Sequence, residues 1–305
     1  MHGRTLSGIS LASRTAAVIV FYEPDEACIR RANRLSERLF CVVVDNSASI
    51  RDKSQIGLSA AITYRPNGVN LGIAAAINQG VEVLLPAGFD YAIVFDQDSE
   101  PPDVLLHDLP AVLDNANRMQ QRVALAGPAY DDARLGGVTP FVRFRWWRLA
   151  RISPQGNVPI DVDFLISSGS CLNLKFWTSI GPMENALFID FVDLEWCARA
   201  KRLGYQVLGV PWVHMNHELG GAPVRVLGRT YPMHSPIRHY YQFRNVIALI
   251  GRANMPGTWK STEIVKLPVR LLIYCFFPKQ RGQHLRMALR GICDGLRGRL
   301  GPYQE

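Results

Sequence analysis

The chain has 305 residues, of which 48% are hydrophobic, and a formal net charge of +8; this composition is typical of a globular protein and argues against disorder. Its six cysteines lie at least thirteen residues apart. This spacing excludes a CxxC redox pair or a cysteine-rich zinc cluster and favours free thiols in a reducing compartment.

The amino-terminal segment does not read as a signal peptide. Residues 1–24 contain one early arginine but no uninterrupted apolar core that ends in a small-residue cleavage pattern. The apolar part, Ala16 to Tyr22, instead reads as a first strand. We therefore expect a cytoplasmic protein.

The first hundred residues alternate strand-like with helix-like segments. Four short, β-branched apolar runs occupy residues 16–22, 39–47, 61–67 and 90–98. Between the last two runs, apolar residues recur at about four-residue spacing, Asn70 can cap a helix and Gly88 can end it. Continuous apolar strands of this kind are typical of a parallel sheet with both faces covered, so the sequence predicts an α/β fold.

Polar residues follow each of the four predicted strands. They are Glu23, then Asp45, Asn46 and Ser47, then Arg65 and Asn67, and then Asp96 and Asp98. Ligands of open parallel sheets bind at the carboxyl ends of the strands. We therefore expect these residues to form one polar edge that binds a ligand.

Asp96 and Asp98 pose a specific question, because a buried strand ends on two like charges. Residues two apart in an extended chain point to the same side, and a divalent cation would relieve the repulsion between them while leaving positions for phosphate oxygens and water. The alternative is a turn in which Asp96 and Ser99 satisfy backbone donors before the double proline.

Two further groups point to a nucleotide. Asp45 and Asn46 could read a base edge, and "NLGIAAAINQG" (70–80) supplies small residues and a helix front that a phosphate could approach. Taken singly, each is as well explained by an Asx turn or by tight helix packing.

Beyond residue 103 the pattern loosens. A helix is predicted within 186–206, with acidic residues at its front and Gly204 as its stop. Residues 238–299 contain twelve Lys or Arg and two acidic residues, which suits nucleic acid, a phosphorylated ligand or an anionic membrane surface. Ile264–Phe277 is apolar but carries two basic residues and is too short to span a bilayer, so we interpret it as interfacial or as a buried core helix.

Several motifs together resemble a known family. The segments are "VFYEP", "VVVDNS", "RPNGVNLGIAAAINQG", "VFDQDSEPP", "ISSGSCLNLKFW" and "LFIDFVDLEWCARAKRLGY". They are similar to the family 2 glycosyltransferases, and "DQDS", "FIDFVDLEW" and "RHYYQFRN" are most similar to the rhamnosyltransferase branch. The resemblance runs from Ala16 to Gly301. It implies a GT-A fold, in which helices flank a Rossmann-like, mostly parallel sheet, with a catalytic domain at 1–235 and a basic helical region at 236–305.

The resemblance also implies a nucleotide-diphosphate sugar donor and a divalent metal, Mg²⁺ or Mn²⁺. It makes Asp98 the principal metal ligand, assisted by Asp96 and by His217. The residues that it places around the donor are Tyr22, Glu23, Asp45, Asn46, Asn70, Gly72, Asp96 and Arg244.

The family carries a Glu-Asp pair before its acceptor-side helix, and this chain has Val192-Asp193 at that place. The resemblance therefore makes Asp193 the candidate catalytic base and Asp190 its alternate. An inverting transfer needs such a carboxylate to take the acceptor hydroxyl's proton. The competing interpretation is that these acids merely favour a helix N-terminus.

The function that the resemblance implies is metal-dependent transfer of rhamnose from dTDP-rhamnose to a polysaccharide or lipid-linked oligosaccharide, with no nucleic-acid partner. The apolar segment Ile264–Phe277 and the basic residues around it predict a peripheral position at the inner membrane face. A non-catalytic sugar-nucleotide-binding or membrane scaffold remains an alternative, because Val192 replaces a glutamate. A weaker alternative is an aspartate-nucleophile phosphatase, because "VFDQDS" resembles the first motif of that family. That family carries the motif on its first strand, whereas three predicted strands precede it here.

Overall fold

The computed structural model describes residues 14–132, 137–145, 148–216, 224–226, 229–231, 234–278 and 280–304. The strands are β1 (Thr15–Phe21), β2 (Phe40–Asp45), β3 (Thr63–Pro66), β4 (Tyr91–Asp96), β5 (Val123–Asp132), β6 (Gly137–Val138), β7 (Phe141–Phe144), β8 (Leu149–Ile152), β9 (Ile160–Val162), β10 (Cys171–Asn173), β11 (Gln206–Asn216), β12 (Val224–Val226) and β13 (Arg229–Tyr231). The helices are α1 (Glu26–Ser36), α2 (Gly72–Leu84), α3 (Asp103–Arg118), α4 (Trp177–Ile180), α5 (Val192–Arg202), α6 (Pro236–Ile250), α7 (Gly257–Phe276) and α8 (Arg281–Leu296).

The central sheet has the order β3-β2-β1-β4-β10-β5-β11-β9, with β6 on β5. The first four strands in this order run parallel to one another, as do β5 and β11. Strand β10 runs antiparallel between β4 and β5. The four strands predicted in the first hundred residues and their parallel pairing are thus confirmed.

Both faces of the sheet are covered, which explains the uninterrupted apolar runs. All seven residues of β1 are buried, and alternate side chains enter two separate cores. Val18 packs toward α2 and α5, while Ile19 packs toward α1 and α3. A strand buried on both faces gains from apolar residues at every position.

Helix α5 begins later than the predicted segment 186–206 does, at Val192. The reason is local backbone geometry, because Phe188, Asp190 and Phe191 have φ angles of 66°, 63° and 65°. Residues in the left-handed region cannot continue a right-handed helix. The acidic residue Asp193 therefore lies in the first turn of α5, directly after a strained turn.

The last three helices form a layer beside the sheet. Helices α6 and α8 approach closely through Gly291, where an added Cβ would lie within 3.0 Å of the Tyr240 carbonyl oxygen. Tyr274 of α7 and Phe243 of α6 share a small core with α8. In the parts of the chain that the structure describes, every helix is too short or too polar to cross a bilayer.

Candidate functional site

An open cavity of about 670 Å³ lies at the carboxyl end of β4, between the sheet and helices α5, α6 and α7. Its polar and charged lining residues are Asp96, Arg151, Ser167, Ser168, Asp190, Asp193, His234, Arg238, Glu263 and Lys266. Its apolar wall includes Phe144, Phe164, Phe191 and Trp259. A concave, largely apolar space with a few converging charges is the usual form of a small-molecule site.

The carboxyl group of Asp193 in this cavity has a shifted pKa. Burial raises the pKa of its carboxyl group to about 6, against the hydrogen bonds from the backbone amides of Leu194 and Ser167, and the nearby charge of Asp190 raises it further. The Leu194 amide lies 2.8 Å from Asp193 Oδ1. A carboxylate with this pKa is mostly ionised at neutral pH and can still accept a proton, as a general base must.

Asp190 faces the same cavity but is already engaged. Its carboxylate accepts hydrogen bonds of 3.2 Å from Nε and Nη2 of Arg238. This ion pair neutralises Asp190. Of the two predicted base candidates, Asp193 is therefore the one whose environment favours proton transfer.

Arg244 does not reach the cavity. It is 0% exposed, and its guanidinium donates to the carbonyl oxygens of Gly301, Ala186 and Leu187. The prediction that Arg244 binds the donor diphosphate is therefore wrong: buried carbonyl groups occupy the donors that a phosphate would need. From sequence alone, an arginine in an aromatic-rich motif looks the same whether its partner is a ligand or a backbone.

Asp45 is held at the end of β2 by a local network. Ser47 donates from its amide (2.9 Å) and its hydroxyl (2.5 Å) to Asp45 Oδ1, and the Tyr64 hydroxyl donates to Oδ2 at 2.7 Å. The predicted Asx-type turn is present. The Asp45 side chain is 1% exposed, so these contacts hold the turn after β2, and its predicted contact with a base edge stays a prediction.

The asparagines of the predicted donor side form a chain of contacts with the start of α2. Asn46 donates to the carbonyl of Gly72 at 3.0 Å and accepts from Asn67 at 2.8 Å. Asn70 accepts a hydrogen bond from the Gly72 amide at 2.9 Å, but Leu71 is the residue that caps α2, with no side-chain cap hydrogen bond, so the predicted helix cap at Asn70 is wrong by one residue. Gly72 has φ +85°, a conformation that glycine adopts without strain.

Tyr22 and Glu23 follow β1 at the same edge of the sheet. The Tyr22 side chain is 54% exposed, and its backbone amide donates to Gln97 Oε1 at 2.8 Å. Glu23 has φ 45°, and its amide donates to Ser47 Oγ at 2.8 Å. Tyr22 and Glu23 thus follow Phe21, which pairs with Asp45 across β1 and β2, and their predicted place around a nucleobase stays a prediction.

The acidic pair after β4 divides between two surroundings. Asp96 lines the cavity, whereas Asp98 is exposed. His217 lies outside the described residues, and among the residues that are described no three His, Cys, Asp or Glu side chains gather into a metal-binding group. Mg²⁺ commonly binds through one or two carboxylates, with substrate phosphates and water completing its shell. Both side chains supply carboxylate oxygens of the kind that Mg²⁺ binds, and the predicted metal site stays a prediction, because Asp98 does not line the cavity with Asp96.

The sequence did not single out several cavity residues. Trp259 packs edge-on against Phe191, with ring centroids 6.0 Å apart, and the buried Glu263 pairs with Lys266 at 3.2 Å. The mixture of aromatic and charged residues at the start of α7 is a sequence pattern that could have indicated a binding site. Only the fold brings Trp259 and Glu263 to the end of β4, because they lie 163 and 167 residues after Asp96 in the chain.

No protein-family profile matches this chain. It is 29% identical over 296 residues to the dTDP-rhamnosyl transferase RfbF of Shigella flexneri, with 95% of this chain and 97% of that protein covered.

Two solved structures are similar in fold. The crystal structure of GalNAc-T7 with UDP, GalNAc and Mn²⁺ aligns with a TM-score of 0.50 and 14% identity, over 82% of this chain and 54% of that one, so this chain spans about half the length of GalNAc-T7. The crystal structure of S. aureus TarS 1-349 aligns with a TM-score of 0.52 and 13% identity, over 92% and 80%. The predicted GT-A fold is confirmed by these comparisons.

Proposed function

We propose that this chain, a glycosyltransferase of the GT-A fold, transfers rhamnose from dTDP-rhamnose to a hydroxyl of a glycan acceptor with inversion at the anomeric carbon. The choice of donor is supported by the similarity to the dTDP-rhamnosyl transferase RfbF along almost the whole chain. The observation that carries the mechanism is the cavity carboxylate of Asp193, whose pKa burial raises to about 6.

In this mechanism Asp193 is the general base. Its carboxylate takes the proton of the acceptor hydroxyl as that oxygen forms its bond to the anomeric carbon. At the same time the bond between the anomeric carbon and the donor's diphosphate oxygen breaks. The position of Asp193 in the first turn of α5 stabilises the ionised carboxylate, because a helix N-terminus carries partial positive charge.

Asp98 and Asp96 would hold the divalent cation. A bound Mg²⁺ or Mn²⁺ would supply positive charge to the departing diphosphate. The neighbouring ends of β1 and β2, with Tyr22 and Glu23 after one and the turn held by Asp45 after the other, would receive the nucleobase. Asn46 and Asn70 shape the backbone that the donor approaches. Arg238 keeps Asp190 neutralised beside the base.

The second helix of the carboxy-terminal region, α7, supports a membrane-linked acceptor. On α7 the side chains of Val265, Val269, Leu272 and Phe276 recur at helical spacing and are 70%, 48%, 58% and 60% exposed. Exposed basic residues lie on α7 and α8, among them Lys266, which pairs with Glu263 at the cavity, and Arg286. An exposed apolar stripe in a basic helical region suits the surface of an anionic bilayer. We therefore propose a peripheral position at the inner membrane face and a lipid-linked acceptor.

Nucleotide binding tests the donor site. Calorimetry with dTDP and UDP, with and without Mn²⁺ or Mg²⁺, should show metal-dependent binding that Asp98→Asn abolishes. Asp103→Asn is the matched control, because Asp103 is an exposed carboxylate close in sequence, at the start of α3. Absence of binding by either nucleotide would reject the donor site. Transfer from UDP-sugars but not from dTDP-rhamnose would reject dTDP-rhamnose as the donor. A wild-type rate for Asp193→Asn would reject Asp193 as the general base.

A further inference from the structure

The turn that leads into Asp193 is held from outside by one side-chain amide. Asn245 of α6 is 0% exposed. Its Nδ2 donates to the carbonyl oxygens of Leu187, Ile189 and Asp190, at 2.9, 2.8 and 3.0 Å. Its Oδ1 accepts from Nε of Arg244 at 2.9 Å. Every polar atom of this amide is thus used on the turn or on the neighbouring arginine.

The turn needs such support because its backbone is strained. Three residues other than glycine, Phe188, Asp190 and Phe191, have φ between 63° and 66°. Backbone in this region persists only where the surroundings fix it. The three carbonyl groups bound by Asn245 belong to this turn or lie next to it, and Arg244 binds the carbonyls of Ala186 and Leu187.

The same turn touches the functional groups at both of its ends. The Phe188 carbonyl accepts from the Ile73 amide at the start of α2, at 2.8 Å. Asp190 binds Arg238 in the cavity wall, and Asp193 follows one residue into α5. A shift of the turn would therefore move the Asp193 carboxylate relative to the donor side of the cavity.

We propose that Asn245, with Arg244 supporting it, is a positioning residue that fixes the turn 187–191 and thereby the Asp193 carboxylate. The proposal rests on the proposed function, because it presumes that Asp193 acts on the substrate. It assigns to the Arg244-Asn245 pair a role in the rate of the reaction and none in binding the donor. Misplacement of a reacting group by about 1 Å can cost on the order of 100-fold in rate.

The test compares Asn245→Ala with Asn173→Ala. Asn173 is a matched control, because it is 1% exposed and its Nδ2 also donates to a backbone carbonyl, that of Val123 at 2.9 Å. It lies in β10 opposite Tyr91, at the other end of β4 from the cavity. The readouts are the rate and KM of dTDP release from dTDP-rhamnose with water as the acceptor, and hydrogen exchange of the amides of residues 186–193.

We expect Asn245→Ala to lower kcat about 10- to 100-fold with the donor KM within threefold, and to speed exchange in 186–193. Asn173→Ala should lower the unfolding temperature but leave both readouts at their wild-type values. Where Asn245→Ala does not fold, Asn245→Ser replaces it, since its hydroxyl keeps one donor, and a smaller loss of kcat is expected.

Equal kcat in the Asn245 and Asn173 variants would overturn the positioning role, as would a loss confined to the donor KM. Asp193→Asn separates this failure from that of the proposed function. If Asp193→Asn is inactive while Asn245→Ala matches the control, the positioning role alone is wrong. If Asp193→Asn keeps the wild-type rate, the proposed base is wrong.

Discussion

The amide of Ile73 donates a 2.8 Å hydrogen bond to the carbonyl of Phe188, and this contact joins the start of α2 to the turn before Asp193. It is possible because Gly72 has no side chain. A Cβ on Gly72 would lie within 3.0 Å of the Phe188 backbone. The proposed donor side and base side of the cavity therefore meet through backbone atoms.

The first prediction concerns this meeting point. Gly72→Ala should destabilise the fold by roughly 2–4 kcal/mol, because overpacking against backbone adds to the cost of a positive φ. Gly88→Ala is the control, since Gly88 has φ +79° and nothing within 4 Å of an added Cβ. Thermal unfolding measures the loss of stability in each variant, and the difference between the two losses is the cost of the contact with Phe188. Equal destabilisation would show that Phe188 moves aside without cost.

The second prediction concerns the pH dependence of Asp193. Because its pKa is raised to about 6, the rate should fall as pH drops below about 6, where the base becomes protonated. A folded-state pKa above the unfolded value also means that the ionised form costs stability at higher pH. Asp193→Asn should therefore raise stability at pH 8 by at most about 3 kcal/mol. Equal stability of the two proteins at pH 8 would contradict the raised pKa.

A third prediction follows from the ion pair between Arg238 and Asp190. Loss of the cation in Arg238→Gln leaves the Asp190 charge unneutralised, and this charge raises the pKa of Asp193. The lower limb of the pH–rate profile should move to higher pH, with a severalfold loss of rate at pH 6. The double variant Arg238→Gln with Asp190→Asn should return the lower limb of the pH–rate profile to its wild-type position. A profile that does not move would show that Asp190 has no effect on the base.

Histidine pairing gives a fourth prediction. His239 is 0% exposed, its Nδ1 lies 2.8 Å from Nδ1 of His284, and its ring stacks on Tyr274. Burial lowers the pKa of His239 to about 3, with the nearby charges of His284, His234 and Arg238 acting in the same direction.

Because the folded pKa of His239 is depressed, its contribution to stability is complete above about 6.5 and is lost as pH falls toward 3. The wild type should lose roughly 2 kcal/mol between pH 6.5 and 5 from this group. His239→Phe, which keeps the stacked ring but cannot titrate, should show a flatter dependence in urea unfolding at the two pH values. If the stability of His239→Phe depends on pH as steeply as that of the wild type, His239 is not the cause of the loss of stability at low pH.

The fifth prediction concerns the exposed stripe of α7. Val269→Ser with Leu272→Ser should abolish binding to vesicles that contain anionic lipid, and should leave dTDP release with water as the acceptor unchanged. Met119→Ser with Val158→Ser is the control, since these side chains are 63% and 68% exposed on other parts of the surface. Vesicle sedimentation at low and high salt measures the effect. Equal binding by all variants would reject the stripe as a membrane contact.

Much of the parallel half of the sheet could be predicted, because its information is local. Strands β1 to β4 are continuous apolar runs, and the polar residues that end them must meet at one edge. The turn 187–191 could not be predicted in the same way. The sequence of these residues has a helix-like pattern, although Phe188, Asp190 and Phe191 have positive φ angles. Asn245, about 55 residues later in the chain, holds the turn through hydrogen bonds to its carbonyl groups. Arg244 shows the same limit, since only the fold reveals that its partners are carbonyl groups.

Strand β10 runs antiparallel between β4 and β5, and the chain forms β6 to β9 before it enters β10 at the centre of the sheet. The β7–β8 hairpin contributes Phe144, Leu149 and Arg151 to the cavity wall. It lies in a segment of the chain that contains none of the strands β1 to β4. Changes in its length or charge leave the pairing of β1 to β4 untouched. Variation of this segment between related genes would thus reshape the cavity wall while the strand ends that carry Asp45 and Asp96 stay in register.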